Sequence, residues 1–584
     1  MREEMVHAYV GGVQLEIRTM KKCGQPSERS ERGGTVAKLI LAVAAVCILT
    51  LGPAATASAK KQSFPKPFAI TESGPVLGVT VNGIDEYLGI PYAKPPSGAL
   101  RWMPPVAFGK FSAPLQANQF GSECTQPGPS GSEDCLFLNV YTPAGAGPGG
   151  SVVEGAGDDE DLPGTLPNGK PRKGSSLPVM VWIHGGGLTA GGGDLYDPTP
   201  LVNAGGVIVV TINYRLGVLG FLAETGLDAE KHLAGNYGLM DQQFALQWVR
   251  KNIKSFGGNP KEVTIFGESA GGQSVYCELA SPLAKGLFRA AIAESGSYVE
   301  FQTYFTAIET LTTAETTNGF APSGNSVAAA VGCGNQTATC LRAVPADSLV
   351  AAQAGVVYPF VDGKLLVQTP DAAFTSGKFN RVPVIAGTNH DEYRAFVAEE
   401  YDGTGNPIET SDEYTAAVLA LWTAELESSV LSEYPYDSYP NGGLALSASG
   451  TDGVFSCPAR NADKLLSKFT TTYAYEFNDE NAPPGTIPGL SFPLGAFHGA
   501  EIQYLMLVEG AIYPLTTDQQ TLSDTMISYW TQFAKKRNPN SSGQPKWAPY
   551  GHVIDQFQSL VPPTPMPETD FNTFHNCDSF WNLF

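Results

Sequence analysis

From residue 179 onward, short aliphatic runs alternate with longer amphipathic stretches. Val179–Ile183, Val207–Ile212, Val263–Phe266, Ala290–Ala293 and Pro383–Ala386 are apolar almost throughout rather than every second residue. Such runs predict strands covered on both faces, as in a parallel sheet. Between them, Met240–Ile253 places Met240, Phe244, Trp248, Val249 and Ile253 on one stripe at helical spacing, with Asp241 at its start, where the helix dipole favours an anion. Thr521–Lys535 reads as a second amphipathic helix. Strands alternating with helices predict an α/β protein built on a mainly parallel sheet. No internal repeat interrupts this order. Residues 144–176 are rich in Gly and Pro and carry the acidic run 158–161, which reads as a solvated loop insertion.

The one long uncharged apolar run, 39–52, is too short for the ~20 residues of a spanning helix. Lys38 precedes it and Ala57-Ser58-Ala59 follows with signal-peptidase spacing, so residues 1–59 read as a secretion leader and 60–584 as the working domain. The alternative is a signal anchor kept in the membrane. Met20-Lys21-Lys22 is the more ordinary start of such a leader, which sets residues 1–19 apart from the working protein. After leader removal no stable membrane span is expected.

Seven cysteines then remain, which in an oxidising compartment reads as three bridges and one free thiol. Cys124–Cys135 and Cys333–Cys340 make local staples, Cys457–Cys577 ties down the C-terminus, and Cys277 is left as a buried thiol. Asn335 and Asn540 head glycosylation sequons. No His or Cys spacing suggests a metal site. The chain carries a net charge of −21, and loss of residues 1–59 takes seven basic and five acidic residues with it, leaving −23. An acidic surface repels phosphate backbones, so nucleic acid is a poor partner.

Local chemistry is more specific. Gly267-Glu268-Ser269-Ala270-Gly271 follows the strand-like VTIF and precedes a helix-compatible stretch. A serine at a sharp strand-to-helix turn needs small neighbours, and the helix N-terminus offers backbone donors to a developing oxyanion. Upstream, His184-Gly185-Gly186-Gly187 follows VMVWI, and consecutive glycines leave backbone amides open to a substrate oxygen.

Chain order in hydrolases of this kind runs Ser, then Asp or Glu, then His. His7, His184 and His232 precede the nucleophile; of those after a candidate acid, His498 lies in the glycine-flanked loop FPLGAFHGAEIQY, while His552 and His575 read as surface residues. The acid is expected in VIAGTNHDEYRAF, where Asp391 and Glu392 are adjacent and both remain open on the residues alone.

FGG at 256–258 followed after four residues by VTIFGESAG, together with EDCLFLNVYTP at 133–143, resembles the two signatures of the type-B carboxylesterase/lipase family, cholinesterases included. YLGIPYAKPP at 87–96, NYRLG at 213–217 and GNYGLMDQ at 235–242 are similar to the family as well, so the resemblance covers roughly residues 68–584. It implies the α/β-hydrolase fold, a Ser269–His498–Glu392 triad, and oxyanion donors at the amides of Gly186, Gly187 and Ala270. It further implies that Glu268 adds negative potential beside the imidazole and that Ser295 hydrogen-bonds the acid. The implied activity is hydrolysis of a small-molecule ester without a cofactor, with lipase or sterol esterase as the alternative. Some members of this fold have lost the nucleophile and serve as adhesion ectodomains; the intact Ser269, Glu392, His498 and glycine run point away from that. In cholinesterases and fungal lipases the first disulfide encloses a long loop bearing a choline-binding Trp or a lid. Here it encloses only TQPGPSGSED, which predicts neither.

Overall fold

The computed structural model describes residues 67–584 except 129, 148–175, 234, 298–323, 336, 354–356, 423, 485–488, 510–513 and 552–554. The leader, the acidic run at 158–161 and His552 lie outside the described residues.

Eleven strands form the main sheet: β1 (Val79–Val81), β2 (Ile84–Pro91), β3 (Phe137–Pro143), β4 (Leu177–Ile183), β5 (Ile208–Ile212), β6 (Gly258–Glu268), β7 (Ala290–Glu294), β8 (Val384–Asn389), β9 (Thr472–Phe477), β10 (Phe557–Leu560) and β11 (Met566–Glu568). Their spatial order is β11-β10-β9-β8-β7-β6-β4-β5-β3-β2-β1. From β10 to β5 every neighbouring pair is parallel, and the antiparallel pairs lie at the two ends. All five sequence-predicted strands fall in the parallel block.

Their lack of alternation has a physical cause. Val179, Val181, Ile183, Val263, Ile265, Ala291 and Ala293 face a core shared with the helices α1 (Tyr237–Asn252), α2 (Ala270–Ala280) and α3 (Cys457–Ser467). Met180, Trp182, Phe266, Ala290 and Ile292 face a second core on the other side, where Leu522, Met526, Trp530 and Phe533 of α4 (Thr517–Lys536) cover them. Both faces are dry, so both residue parities must be apolar. A third cluster, around Trp422, Tyr434, Phe557, Phe571 and Trp581, joins inserted helices to the C-terminal segment.

Two helix starts differ from the pattern. The helix α4 begins at a capping box, Thr516 with Gln519, ahead of the residue where its apolar stripe becomes visible. The helix α1 begins at Tyr237, so Asp241 sits in its second turn and not at the dipole's positive end. Its carboxylate instead receives Arg215 Nε and Nη2, both at 2.7 Å, in the buried interior. Three disulfides close, Cys124–Cys135, Cys333–Cys340 and Cys457–Cys577, and Cys277 is a buried free thiol.

Candidate active site

Ser269 sits between β6 and α2 with φ 55° and ψ −123°, a strained conformation for a residue with a side chain. The turn is held by Ser269 N donating to Glu294 O (2.9 Å) and Gln273 N donating to Ser269 O (2.8 Å). Its tightness explains the flanking glycines. A Cβ on Gly271 would stand 1.9 Å from Ile183 O, and one on Gly267 would stand 2.5 Å from the same atom.

The glycine loop after β4 lies directly against this turn, for a Cβ on Gly185 would reach 3.1 Å from Ser269 Cβ. Gly186 and Gly187 have φ of 99° and 60°, and their turn is closed by the amides of Thr189 and Ala190, both donating to Gly186 O at 3.0 Å. His184 is not a titrating base here: burial pushes its imidazole down to about 4, its ring stacks on Tyr214 at 4.4 Å, and Tyr214 Oη donates to His184 O (2.7 Å).

His498 Nδ1 donates to Glu392 Oε2 at 2.6 Å. The other oxygen of Glu392 accepts from Thr388 Oγ1 (2.8 Å) and from the amide of Asn389 (2.7 Å), so this buried carboxylate is fully engaged. The opposite edge of the imidazole faces Glu268, the residue before Ser269, with Nε2 3.2 Å from its Oε1 in a charge contact without hydrogen-bond geometry. Burial works against a charge on His498, but Glu268 and Glu392 outweigh it and raise the imidazole well above its ordinary value. Burial in turn raises the Glu268 carboxyl. Phe396 and Phe455 pack on the imidazole at 4.9 and 5.0 Å.

Asp391 points elsewhere. Its Oδ2 accepts from Ala496 N (2.9 Å), its own amide donates to Ala496 O (3.0 Å), and its Oδ1 pairs with Arg394 at 2.8 Å. Asn389 Nδ2 donates to Phe497 O (2.8 Å) and His498 N to Glu392 O (3.3 Å). Asn389, Asp391 and Glu392 are thus tied to three consecutive residues of the histidine loop, Ala496, Phe497 and His498. Burial disfavours the Asp391 carboxylate, yet His390, Arg394 and the Ala496 amide hold it below the usual range.

Ser295, strained at φ 49°, donates its amide to Gly387 O, but its hydroxyl makes no bond to Glu392 among the described residues. Asn335 is exposed, whereas the Asn540 carboxamide makes hydrogen bonds with Asn538 and both backbone polar groups of Trp547. His575 is the clearest correction. Instead of lying on the surface it is buried, with Nδ1 on Asp452 Oδ1 and Nε2 on Glu476 Oε1, both at 2.6 Å. Sequence reasoning did not single out Glu294 or Glu501, buried carboxyls raised by burial and lying in the same field; they bond Trp530 Nε1 (2.9 Å) and Asn389 Nδ2 (2.5 Å). A Glu closing β7 and a Glu three residues past His498 were the only available signals.

A family model described as the carboxylesterase family matches residues 65–580. The chain belongs to that family. Among curated carboxylesterase relatives, rabbit (Oryctolagus cuniculus) "Cocaine esterase" is 34% identical over 525 residues, covering 83% of this chain and 90% of that one. Mouse (Mus musculus) "Carboxylesterase 1E" is 32% identical over 581 residues, covering 87% and 92%. A solved PNB esterase superposes with a TM-score of 0.67 at 30% identity, over 86% of this chain and 97% of that one. The sheet and its flanking helices are accordingly the α/β-hydrolase fold, and the chain is a carboxylesterase, a hydrolase of carboxylic esters.

Proposed function

We propose that this carboxylesterase works through Ser269, His498 and Glu392 by way of an acyl-enzyme. His498 Nε2 takes the Ser269 proton while Nδ1–H stays on Glu392, which fixes the tautomer and stabilises the imidazolium. Ser269 Oγ attacks the ester carbonyl, and the oxyanion rests on the amides of Gly186, Gly187 and Ala270. The imidazolium then protonates the leaving alcohol, and water repeats the sequence on the acyl-enzyme. Glu268, 3.2 Å from Nε2, stabilises the imidazolium formed in both halves. The observation that supports this reading is the 2.6 Å Glu392–His498 bond, with Nε2 on the other edge of the ring beside Glu268, the residue before the strained Ser269.

We further propose that one catalytic domain spans 60–584 and is secreted. Supporting this are the apolar run before Ala57-Ser58-Ala59 and three disulfides. Among the described residues no helix is long and apolar enough to cross a membrane. The test is a panel of p-nitrophenyl esters of increasing acyl length with wild type and Ser269→Ala. The reading expects hydrolysis by the former alone; undiminished hydrolysis by Ser269→Ala refutes it. A rate that rises only beyond the substrate's solubility limit marks a lipase instead.

A further inference from the structure

The oxyanion turn is braced from outside by a side chain of the first disulfide loop. Gln126 is 2% exposed, and its Oε1 accepts the amide of Gly191 at 2.9 Å while its Nε2 faces Gly191 O at 3.3 Å. The same Nε2 also reaches Cys124 O and Glu123 Oε2, both at 3.2 Å. A carboxamide that both donates to and accepts from one residue fixes that residue's peptide planes as a strand partner would. Gly191 in turn presses on the glycine run: a Cβ at this position would stand 2.7 Å from His184 Nδ1 and 2.9 Å from Gly185 O. Between them lies only the turn 186–190, closed on Gly186 O.

Gln126 is itself rigidly placed. The Cys124–Cys135 bridge lies two residues away, Thr125 N donates to Ser132 O (3.2 Å), Ser132 N to Glu123 O (2.9 Å), and Ser130 Oγ to Glu123 Oε2 (2.8 Å). A second amide works alongside: Asn213 Oδ1 accepts from Gly193 N (2.8 Å), and its Nδ2 donates to Ser122 O (3.0 Å). Gln126 of the disulfide loop and Ser122 just ahead of it are therefore laced to residues 191–193.

We propose that Gln126 is a positioning residue for the oxyanion hole, and that the short Cys124–Cys135 loop serves to hold it there. The inference rests on the acyl-enzyme reading above. Oxyanion donors stabilise the transition state only as far as they are fixed before the charge develops. A Gly186–Gly187 turn freed from its brace keeps its affinity for the ground-state ester and loses part of its grip on the tetrahedral oxyanion. The loss therefore falls on kcat and not on KM.

Gln126→Met keeps the volume and removes every hydrogen bond; Gln126→Asn keeps both the donor and the acceptor but shortens their reach to Gly191. Active sites are counted by stoichiometric labelling with a fluorophosphonate, so that misfolded protein does not enter the rate. Per labelled site, Gln126→Met is expected to lower kcat about tenfold to a hundredfold. KM stays within twofold, and affinity for a trifluoromethyl ketone, which forms a tetrahedral adduct, weakens in proportion to kcat. Gln126→Asn, which keeps the carboxamide but withdraws it by one methylene, falls between the two, and it decides the question alone if the Met variant yields no folded protein. A kcat per site within twofold of wild type, or a fall in kcat that the ketone affinity does not follow, overturns the proposal. Wild-type activity abolished by Ser269→Ala shows that the acyl-enzyme reading stands in that event.

Discussion

Replacing Glu392 by Gln tests the assignment of the acid with almost no change of shape. In the native site Oε1 accepts two hydrogen bonds, from Thr388 and Asn389, and Oε2 accepts one from His498 Nδ1. A carboxamide has one acceptor atom and one donor atom. If its oxygen keeps the two donors of the acid loop, its NH2 faces His498 and forces the imidazole to carry its proton on Nε2. That tautomer cannot take a proton from Ser269. If the amide is reversed, its NH2 meets both the Thr388 hydroxyl and the Asn389 amide in a buried site, at about 1–3 kcal/mol for each unsatisfied group. The wrong tautomer is the cheaper outcome, so folding survives and catalysis does not. Loss of the correct tautomer in a triad lowers kcat by about 10⁴-fold, or about 5 kcal/mol of transition-state stabilisation. The assay is p-nitrophenyl acetate turnover per labelled active site, beside a denaturation curve. Asp391→Asn is the matched comparison. It keeps an oxygen for the Ala496 amide but loses the charge opposite Arg394, so it lowers stability and costs about tenfold or less in kcat. If Glu392→Gln retained a tenth of wild-type kcat, or Asp391→Asn lost more than it did, the assignment would be wrong.

Three further expectations follow from the same contacts. Glu268→Gln removes the leading influence that raises the His498 imidazole, so the acid limb of kcat/KM, which requires the neutral base, moves to lower pH by about a unit or more; a limb that stays put contradicts the charge contact. Burial opposes charge on His575, but Asp452 and Glu476 lift its imidazole from 6.5 to about 10. Its contribution to stability is thus complete below about pH 6.5 and is lost as the pH rises through about 10. Denaturant midpoints should show His575→Ala destabilised by about 3–5 kcal/mol at pH 7, with the gap from wild type shrinking toward pH 10. Gly271→Ala drives a Cβ into the backbone of Ile183 at 1.9 Å, and the soluble folded yield should collapse; a variant that folds and hydrolyses like wild type refutes the close packing of the turn.

The sheet was legible because its strands are buried on both faces, which leaves unbroken aliphatic runs such as Val179–Ile183 and Val263–Phe266. The Ser269 turn was legible because a local steric demand writes glycines on either side of it. Pairings made at long range left no such trace. His575 lies in a polar C-terminal stretch and resembles a surface residue until Asp452 and Glu476, 123 and 99 residues away, close on it. Asp241 suits a helix start by position alone, and only Arg215, arriving from the end of another loop, gives it its true partner. Asp391 and Glu392 are chemically near-equivalent neighbours, and the direction of each side chain is fixed by the histidine loop that folds over them. Gln126 is an unremarkable polar residue in a short loop until Gly191 is brought against it.

The most direct measurement is the site of covalent capture by an organophosphate ester. The protein is inhibited with one equivalent of diethyl p-nitrophenyl phosphate, digested, and its peptides weighed. One diethylphosphoryl group per molecule is expected on Ser269, with esterase activity falling in step with its occupancy, and no label on Ser269→Ala. A label on another residue, or activity that outlives full modification of Ser269, contradicts the acyl-enzyme reading.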